Sequence, residues 1–450
     1  MQTSIAVELV AAVSEKGFSL DELVLKVRQL FENQGMAGVI ALVLKLVDEM
    51  LSRRMVQGEG PGRDCCGAPC YELHDRLPRR FRTAAGEVHI EWRRLRCRAC
   101  GKTKVPLRDF LGLSRWQSKS TELEQMVVEV ICDQSYRRGS RHLRLIGQIP
   151  VPKSTAHRWV EQSPCDELEE PPGPLAVVMA DSTGYKRRPD NEKGLDNRGD
   201  LRMAIGITQD GEVVPLGTWS GDSWEAIGRQ LGELGDEEGT VADVLVSDGE
   251  PGLPQSLGPL TEGEQRCHWH TIHDLDERMR KQGAPIGLRR AMQKELAALL
   301  ELPLPVASVE EVSAAEKGAL WEQTETAEAR LSEFVASLAA RGYDQAARYV
   351  RRAKDRLFTY VRFWLTHGVV SPRACSLIER IMRELARRLK RIAFGWRPQN
   401  AAKMARILLK RLLNHTQWEA YWRDRLRIKD NVLLALRRIV ADPSPQVLGR

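Results

Sequence analysis

The 450-residue sequence lacks any stretch that approaches the roughly 20 consecutive apolar residues that span a bilayer. Its most apolar segment, Gly38–Val47, contains Lys45 and is followed by Asp48. The N-terminus lacks a basic region followed by an apolar run, so we predict no signal peptide and a cytoplasmic protein. Internal repeats and low-complexity segments are also missing. A hydrophobic fraction of 42% with 29% charged residues is typical of a globular chain, and the length predicts about two to four domains.

A large net charge is missing too, because 68 basic residues face 61 acidic ones. The basic residues are nevertheless concentrated in two blocks. The segment from Arg373 to Arg450 holds 19 basic and 6 acidic residues, and the segment from Arg76 to Lys119 holds 13 and 3. Two basic blocks that flank a more acidic middle predict contact with a polyanion at two places. The alternative is that both basic blocks are solvent-exposed surfaces that bind no polyanion.

Nine cysteines in a cytoplasmic protein suggest metal binding or buried thiols before disulfides. Cys97 and Cys100 form a CxxC knuckle after a strand-like run, and more thiols lie about 30 residues upstream. This pattern predicts a zinc-ribbon-like domain with a structural Zn²⁺ held by Cys66, Cys70, Cys97 and Cys100. The first pair is irregular, so Cys65, His74 and His89 are alternatives there. Nearby arginines suit contacts with phosphates, among them Arg94, Arg96 and Arg98.

Three helices follow the cysteine-rich segment. The predicted helices span Leu123–Cys132, Tyr136–Leu145 and Thr155–Gln162. Pro150 and Pro152 interrupt the chain, and Ser154 is the expected cap of the last helix, which presents His157 and Arg158. The pattern is typical of a helix-turn-helix that binds DNA in the major groove, although a small helical bundle is the alternative.

A Pro-rich linker then leads into a segment of different structure. We predict three strands, a helix capped by Ser223 and a fourth strand. The predicted strands span Leu175–Ala180, Leu201–Thr208, Val213–Trp219 and Val241–Ser247. Asp181 and Asp248 directly follow the first and fourth strands. This order is typical of a ribonuclease-H-like fold, in which those two strands are neighbours and their acids converge on metal ions.

A third acid is expected from a later helix. Residues 275–370 have helical patterns, and Arg373–Ile392 has one strongly apolar face with Glu379 near its start. Glu384 is the fallback for the third acid.

The fold class is therefore a multidomain α+β protein with a ribonuclease-H-like α/β catalytic core. The predicted parts are a helical arm (1–60), a zinc-ribbon-like domain (61–115), a helix-turn-helix-like domain (116–165), the first part of the core (174–274), an all-helical insertion (275–372), the last core helix (373–398) and a basic helical tail (399–450).

Several motifs resemble those of Mutator-like bacterial insertion-sequence transposases with an N-terminal zinc-ribbon-like domain. They are DGEPGL at 248–253, QRCHWH at 265–270, SLIERIMRELARR at 376–388 and RCRACG at 96–101. The resemblance implies a DDE triad of Asp181, Asp248 and Glu379, with two Mg²⁺ or Mn²⁺ per site. It implies a DNA transposase that cleaves and transfers strands at terminal inverted repeats, joins target DNA, acts as a homodimer or larger assembly, and lies at the nucleoid. A DNA-binding protein without catalysis and a structure-specific nuclease are the alternatives. Expected DNA contacts include Arg380, Arg383, Arg387 and Arg388.

Cys267 and His270 invite interpretation as zinc ligands, because CxxH is a common pair in zinc sites. Only His268 and His273 lie nearby in the sequence, and four ligands on one helix cannot converge tetrahedrally. We therefore expect no zinc here: the two residues either are packed core residues or support the active site. His270 is predicted to hydrogen-bond Asp248 or a nearby backbone group, and Trp269 is predicted to face outward.

Overall fold

The computed structural model describes residues 19–31, 35–59, 65–66, 70–147, 149–163, 165, 168–188, 198–391 and 395–427. Within these ranges the chain forms a mixed α+β protein with two sheets, one of three strands and one of five. None of the helices described is long and apolar enough to cross a membrane. The predicted basic tail (399–450) is described up to residue 427.

The N-terminal part contains two longer helices and a long β-hairpin, and the second of these helices packs on the hairpin. Its elements are α1 (Leu20–Leu30), α2 (Met36–Val56), β1 (Tyr71–Thr83), β2 (Gly86–Cys97), β3 (Thr103–Lys104) and α3 (Pro106–Phe110). The two long strands pair antiparallel from Tyr71↔Cys97 to Thr83↔Gly86. Phe81 and Trp92 stack at 5.4 Å between ring centroids and join buried side chains of α2 in a small core.

Three short helices come next: α4 (Thr121–Asp133), α5 (Tyr136–Leu145) and α6 (Lys153–Gln162). The Oγ atoms of Ser120 and Ser135 accept hydrogen bonds from the first turns of α4 and α5, which fixes where these helices begin. The predicted cap of the third helix is wrong. Ser154 lies inside α6, and Pro152 is the residue before its first turn.

The central element is a five-stranded sheet. Its strands are β4 (Leu175–Lys186), β5 (Arg198–Thr208), β6 (Val213–Ser220), β7 (Ala242–Ser247) and β8 (Thr261–Arg266). They lie in the order β6-β5-β4-β7-β8. The first three pair antiparallel, whereas β4, β7 and β8 run parallel to one another. Strand β8 was missed by the sequence analysis, because its sequence TEGEQR has no apolar run.

Both faces of this sheet are covered, which explains the continuous apolar runs of β4 and β7. Alternating side chains of β4 enter two different cores: Val177 and Met179 belong to one, Val178 and Ala180 to the other. One face carries α7 (Trp224–Leu231) and α8 (Leu253–Leu257), with short 3₁₀ turns after each. The predicted cap Ser223 is confirmed, since its Oγ accepts from the N–H of Ala226 at 3.2 Å.

A purely helical segment separates β8 from the helix that carries Glu379. It contains α9 (His268–Lys281), α10 (Ile286–Leu300), α11 (Ala314–Ala340), α12 (Asp344–Ala353) and α13 (Thr359–His367). These helices share an apolar core of their own, in which Leu331, Phe334 and Tyr360 are buried. Gln265 of β8 anchors the segment, because its side chain accepts from Tyr360 N–H at 2.9 Å and donates to the carbonyl of Leu357 at 3.2 Å.

The last described elements are α14 (Ser376–Ala386), a π-helical turn (Arg387–Arg391), α15 (Pro398–Leu413) and α16 (His415–Leu426). Helix α14 begins later than the sequence predicts, because Cys375 is its N-cap. The chain after residue 398 does not begin as a solvated tail. Helix α15 packs on β6, where Thr218 Oγ1 donates to the carbonyl of Ala402 at 2.9 Å, and its apolar side chains are buried in the core of the sheet.

Candidate functional site

Two carboxylates lie side by side where the parallel pairing of β4 and β7 ends. Ala180 and Ser247 are the last residues paired between these strands, and Asp181 and Asp248 directly follow them. Contrary to the sequence prediction, β4 continues past Asp181, because its pairing with β5 extends to Lys186. Asp181 therefore lies within a strand, whereas Asp248 opens a loop. Each carboxylate accepts a local backbone N–H, from Ser182 at 2.7 Å and from Glu250 at 2.8 Å.

The loop after Asp248 requires glycine at its next position. Gly249 has a φ of +74°, a left-handed conformation that residues with a Cβ rarely adopt. A Cβ at Gly249 would also lie 1.7 Å from a guanidinium nitrogen of Arg266. Arg266 is itself buried and donates to the hydroxyl of Tyr349 at 3.1 Å. The DG dipeptide thus lets the backbone turn sharply over the buried Arg266. This turn leaves Asp248 at the C-terminal end of β7.

The third carboxylate comes from α14. Glu379 lies in the first turn of this helix, where its N–H donates to the carbonyl of Cys375 at 3.0 Å. The opposite side of the helix is buried through Ile378, Ile381 and Leu385, and α14 packs on β4. Glu379 Oε1 lies 3.7 Å from His270 Nδ1. The fallback Glu384 points elsewhere, because its half-exposed carboxylate lies 3.9 Å from Arg387.

The electrostatics of Asp181 tie the three acids together. Burial is the largest cause that raises the pKa of Asp181, to about 7, and repulsion from Asp248 and Glu379 adds to it. His270 and the N–H of Ser182 oppose the rise. Within the described residues, the three carboxylates do not form a group whose oxygens all lie within 4.8 Å of one another. Two metal ions about 4 Å apart can be held by carboxylates spaced more widely than that.

One basic side chain near the acids was missed by the sequence analysis. Lys390 Nζ donates to Thr183 Oγ1 at 2.8 Å. Thr183 is two residues after Asp181, so both side chains point to the same face of β4. Lys390 lies in the π-helical turn that follows α14, and its side chain is exposed. It places a cation at Thr183, on the face of β4 to which Asp181 points.

A second group of side chains lies directly behind Glu379. Cys267 Sγ is 3.3 Å from His270 Nδ1, and it accepts the N–H of Cys375 at 3.2 Å. The ligand atoms of these three residues all lie within 4.8 Å of one another. The hydrogen bond with the Cys375 thiol lowers the pKa of Cys267 and raises that of Cys375. His270 thus contacts Cys267 and Glu379 instead of the predicted hydrogen-bond partner Asp248. Trp269 is half exposed, as expected, and stacks on His273.

The predicted DNA-contacting side chains divide into exposed and engaged ones. Arg96, Arg158, Arg380 and Arg383 are exposed. Others already have protein partners: Arg94 pairs with Asp75, Arg98 with Glu72, His157 with Asn400, and Arg387 lies near Asp133. Arg388 contradicts its assignment, because it is buried.

Arg388 is enclosed by protein groups, although within the described residues only its Nε has a hydrogen-bond partner. Its Nε donates to the carbonyl of Ile131 at 2.9 Å, and its guanidinium lies 4.8 Å from the ring centre of Trp396 and 5.7 Å from that of Tyr136. Burial lowers its pKa. A side chain that is 2% exposed cannot reach a DNA phosphate, so Arg388 is a core residue. It faces inward because the apolar side of the α14 region extends past residue 386 through Leu389.

Four cysteines near the N-terminal hairpin form a separate cluster that could hold a structural metal ion. They are Cys65, Cys66, Cys97 and Cys100, whose Sγ atoms all lie within 4.8 Å of one another. The knuckle turns through Gly101, which has a φ of +72° and donates its N–H to the carbonyl of Cys97. Backbone N–H groups, that of Cys100 foremost, lower the pKa of Cys97 to about 6.

Both upstream thiols of the cluster are adjacent in sequence, which corrects the predicted ligand set. Cys70 is exposed and lies outside the cluster. Its carbonyl accepts the N–H of Arg98 at 2.7 Å, so the backbone of Cys70 belongs to the start of the hairpin ladder, next to Cys97. The imidazoles of His74 and His89 do not belong to the cluster either.

No protein-family model matches this chain, and no curated protein matches it either. Its function is therefore inferred from the residues and their geometry.

Proposed function

We propose that this chain is a DNA transposase of the ribonuclease-H-like type, which cuts and rejoins DNA at the ends of a mobile element. The observation that carries the proposal is the convergence of three carboxylates from β4, β7 and α14 at one edge of a mixed sheet. The strand order β6-β5-β4-β7-β8, with the first three strands antiparallel and the last two parallel to β4, supports a ribonuclease-H-like core.

The carboxylates fit divalent cations as a donor set. Asp181 is partly buried beside two other acids, and burial first and repulsion from these acids second raise its pKa. Oxygen ligands of this kind suit Mg²⁺ or Mn²⁺, whose charge would relieve that repulsion. Asp181, Asp248 and Glu379 would hold the ions. When bound, such ions activate a water or a 3′-hydroxyl and stabilise the leaving oxygen of a phosphodiester.

The chain's own residues would hold the ligands and the DNA in place. Gly249 and the buried Arg266 fix the loop that presents Asp248. Lys390, bonded to Thr183 two residues after Asp181, would supply a positive charge for a DNA phosphate near the acids. The exposed Arg380 and Arg383 on α14 would supply further positive charge for contacts with phosphates.

The remaining parts of the chain would bind DNA ends. The Cys65–Cys100 cluster would hold a structural Zn²⁺ that stabilises the N-terminal hairpin, and α4–α6 would contact the terminal repeat. Because two ends of an element must be joined, at least a homodimer is required on DNA. This function places the protein at the nucleoid.

The test uses purified full-length protein and duplex DNA that carries the junctions flanking its own gene. We expect cleavage at the junctions and joining to a target plasmid with Mg²⁺ or Mn²⁺, and neither product with excess EDTA. Cleavage without joining, together with preference for a branched substrate, would favour a structure-specific nuclease. Specific binding of the junctions without any product would favour a transposase-derived DNA-binding protein. Both outcomes would overturn the proposal.

A further inference from the structure

Two helices begin at the same place beside the candidate active site, and each begins with a buried cysteine. Cys267 is the N-cap of α9 and Cys375 is the N-cap of α14. Both thiols are fully buried. His270, in the first turn of α9, brings its Nδ1 within 3.3 Å of the Cys267 sulfur. The two cysteines are 108 residues apart in the chain, so sequence spacing gives no hint that they meet.

We propose that Cys267, His270 and Cys375 bind a zinc ion that links the starts of α9 and α14. The three ligand atoms lie within 4.8 Å of one another. Around a tetrahedral Zn²⁺, with Zn–S of about 2.3 Å and Zn–N of about 2.0 Å, a sulfur and a nitrogen ligand are about 3.6 Å apart. The observed separation of 3.3 Å between Cys267 and His270 needs to open by only a few tenths of an ångström.

The surroundings of the two sulfurs suit thiolates. The N-terminus of a helix carries a partial positive charge, and each cysteine stands at such an end. The backbone N–H of Cys375 already donates to the Cys267 sulfur at 3.2 Å. Four ligands on α9 alone could not converge on zinc, but Cys375 removes that objection because it approaches from another helix. A water completes the four ligands, as in zinc sites with three protein ligands.

The backbone holds the ligands in place without the ion. The N–H of Cys267 donates to the carbonyl of Ser247 at 2.9 Å, and the N–H of His268 donates to the carbonyl of Arg373 at 2.9 Å. Ser247 precedes Asp248, and Cys375 is four residues before Glu379. Zinc at this point would therefore fix the spacing of two of the three acids. The metal site itself stands whether or not the chain is a transposase, because it depends only on these three ligands.

The experiment counts zinc in purified full-length protein by mass spectrometry of the metal. The Cys97→Ser/Cys100→Ser variant removes the N-terminal cluster, and Cys70→Ser is the matched control, since Cys70 is an exposed cysteine outside both clusters. We expect about two zinc ions per chain in the unaltered protein and in Cys70→Ser. We expect about one zinc ion per chain in the double variant. We expect none when Cys375→Ser or His270→Asn is added to the double variant.

X-ray absorption at the zinc edge gives a second measurement that needs no change at the proposed site. In the Cys97→Ser/Cys100→Ser variant the remaining zinc should have about two sulfur ligands and one imidazole. A double variant without zinc would overturn the proposal, as would a remaining ion with only nitrogen and oxygen ligands. A Cys267–Cys375 disulfide in protein prepared under reducing conditions would also overturn it.

Discussion

His270 Nδ1 lies 3.7 Å from Glu379 Oε1, although the two residues belong to helices separated by the whole helical segment α10–α13. His270 is the point at which the start of α9 meets the first turn of α14. Its pKa is raised through the contact with Cys267 and the nearby acids Asp248 and Glu379, even though burial acts in the opposite direction as the largest single cause. The histidine thus stands between the sulfur pair and the carboxylates.

Replacing this histidine should slow DNA cleavage without abolishing DNA binding. We expect His270→Ala to reduce the single-turnover cleavage rate by roughly 10- to 100-fold, the size typical of a residue that orients a metal-binding group. His273→Ala is the matched control, because His273 lies on the same helix with an exposed side chain beside Asp274. Equal rates for the two variants would show that His270 does not position Glu379.

The raised pKa of Asp181 predicts a pH-dependent stability. A folded-state pKa of about 7 means that the folded protein favours the neutral carboxyl group. The stability that this group contributes is therefore present in full below about pH 4, and it is lost as the pH rises through 7. In metal-free protein, Asp181→Asn should raise the free energy of unfolding at pH 8 by on the order of 2 to 4 kcal/mol, and by much less at pH 5.

Thermal unfolding at both pH values measures this effect. Asp210→Asn is the control, since Asp210 is exposed in the turn between β5 and β6. Added Mg²⁺ should narrow the difference between Asp181→Asn and the unaltered protein at pH 8, because it stabilises only the carboxylate form. If the stability difference between Asp181→Asn and the unaltered protein is the same at both pH values, burial and repulsion do not raise the pKa of Asp181.

Two arginines of the α14 region should behave in opposite ways. Arg388→Ala removes a buried side chain that bonds the carbonyl of Ile131 and lies over Trp396, so we expect a loss of about 2 to 4 kcal/mol in unfolding free energy. Arg383→Ala should leave stability nearly unchanged. It should reduce the slope of the logarithm of DNA affinity against the logarithm of salt concentration by about one. Chemical denaturation and binding at several salt concentrations separate the two. A stable Arg388→Ala with weakened DNA binding would restore the role that the sequence suggested.

The N-terminal cluster should matter for DNA ends and not for the chemistry. We expect Cys100→Ser to lower affinity for the terminal repeat, whereas Cys70→Ser, outside the cluster, should bind as the unaltered protein does. Both variants should cleave a saturating substrate at the same rate, because the cluster belongs to the β1–β2 hairpin and not to the carboxylates. Equal affinities, measured by fluorescence anisotropy, would show that the cluster does not help to bind DNA.

The sequence predicted local elements well where one kind of residue pattern dominates. The apolar runs ending near Asp181 and Asp248 predicted β4 and β7, and the Ser223 cap predicted α7. Strand β8 was missed because pairing with β7 and packing against α13, not its own apolar residues, hold it at the end of the sheet.

Contacts between distant residues were beyond the sequence. Nothing in the spacing brings Cys375 to Cys267, or Lys390 to Thr183. Cys70 was included and Cys65 left as an alternative by spacing alone, but the cluster contains Cys65 and not Cys70. Arg388 was counted as basic surface because composition does not reveal which side of a helix is covered.

The most direct test of the central claim compares two glutamates of the same helix. Glu379→Gln and Glu384→Gln make the same chemical change five residues apart, but only Glu379 lies beside His270 and Asp181. With DNA carrying the element's junctions and Mn²⁺, Glu379→Gln should lose cleavage and joining by at least about 1000-fold while it still binds the junctions. Glu384→Gln should remain active, and Asp181→Asn and Asp248→Asn should match Glu379→Gln. Cleavage by Glu379→Gln at the rate of Glu384→Gln would contradict the account.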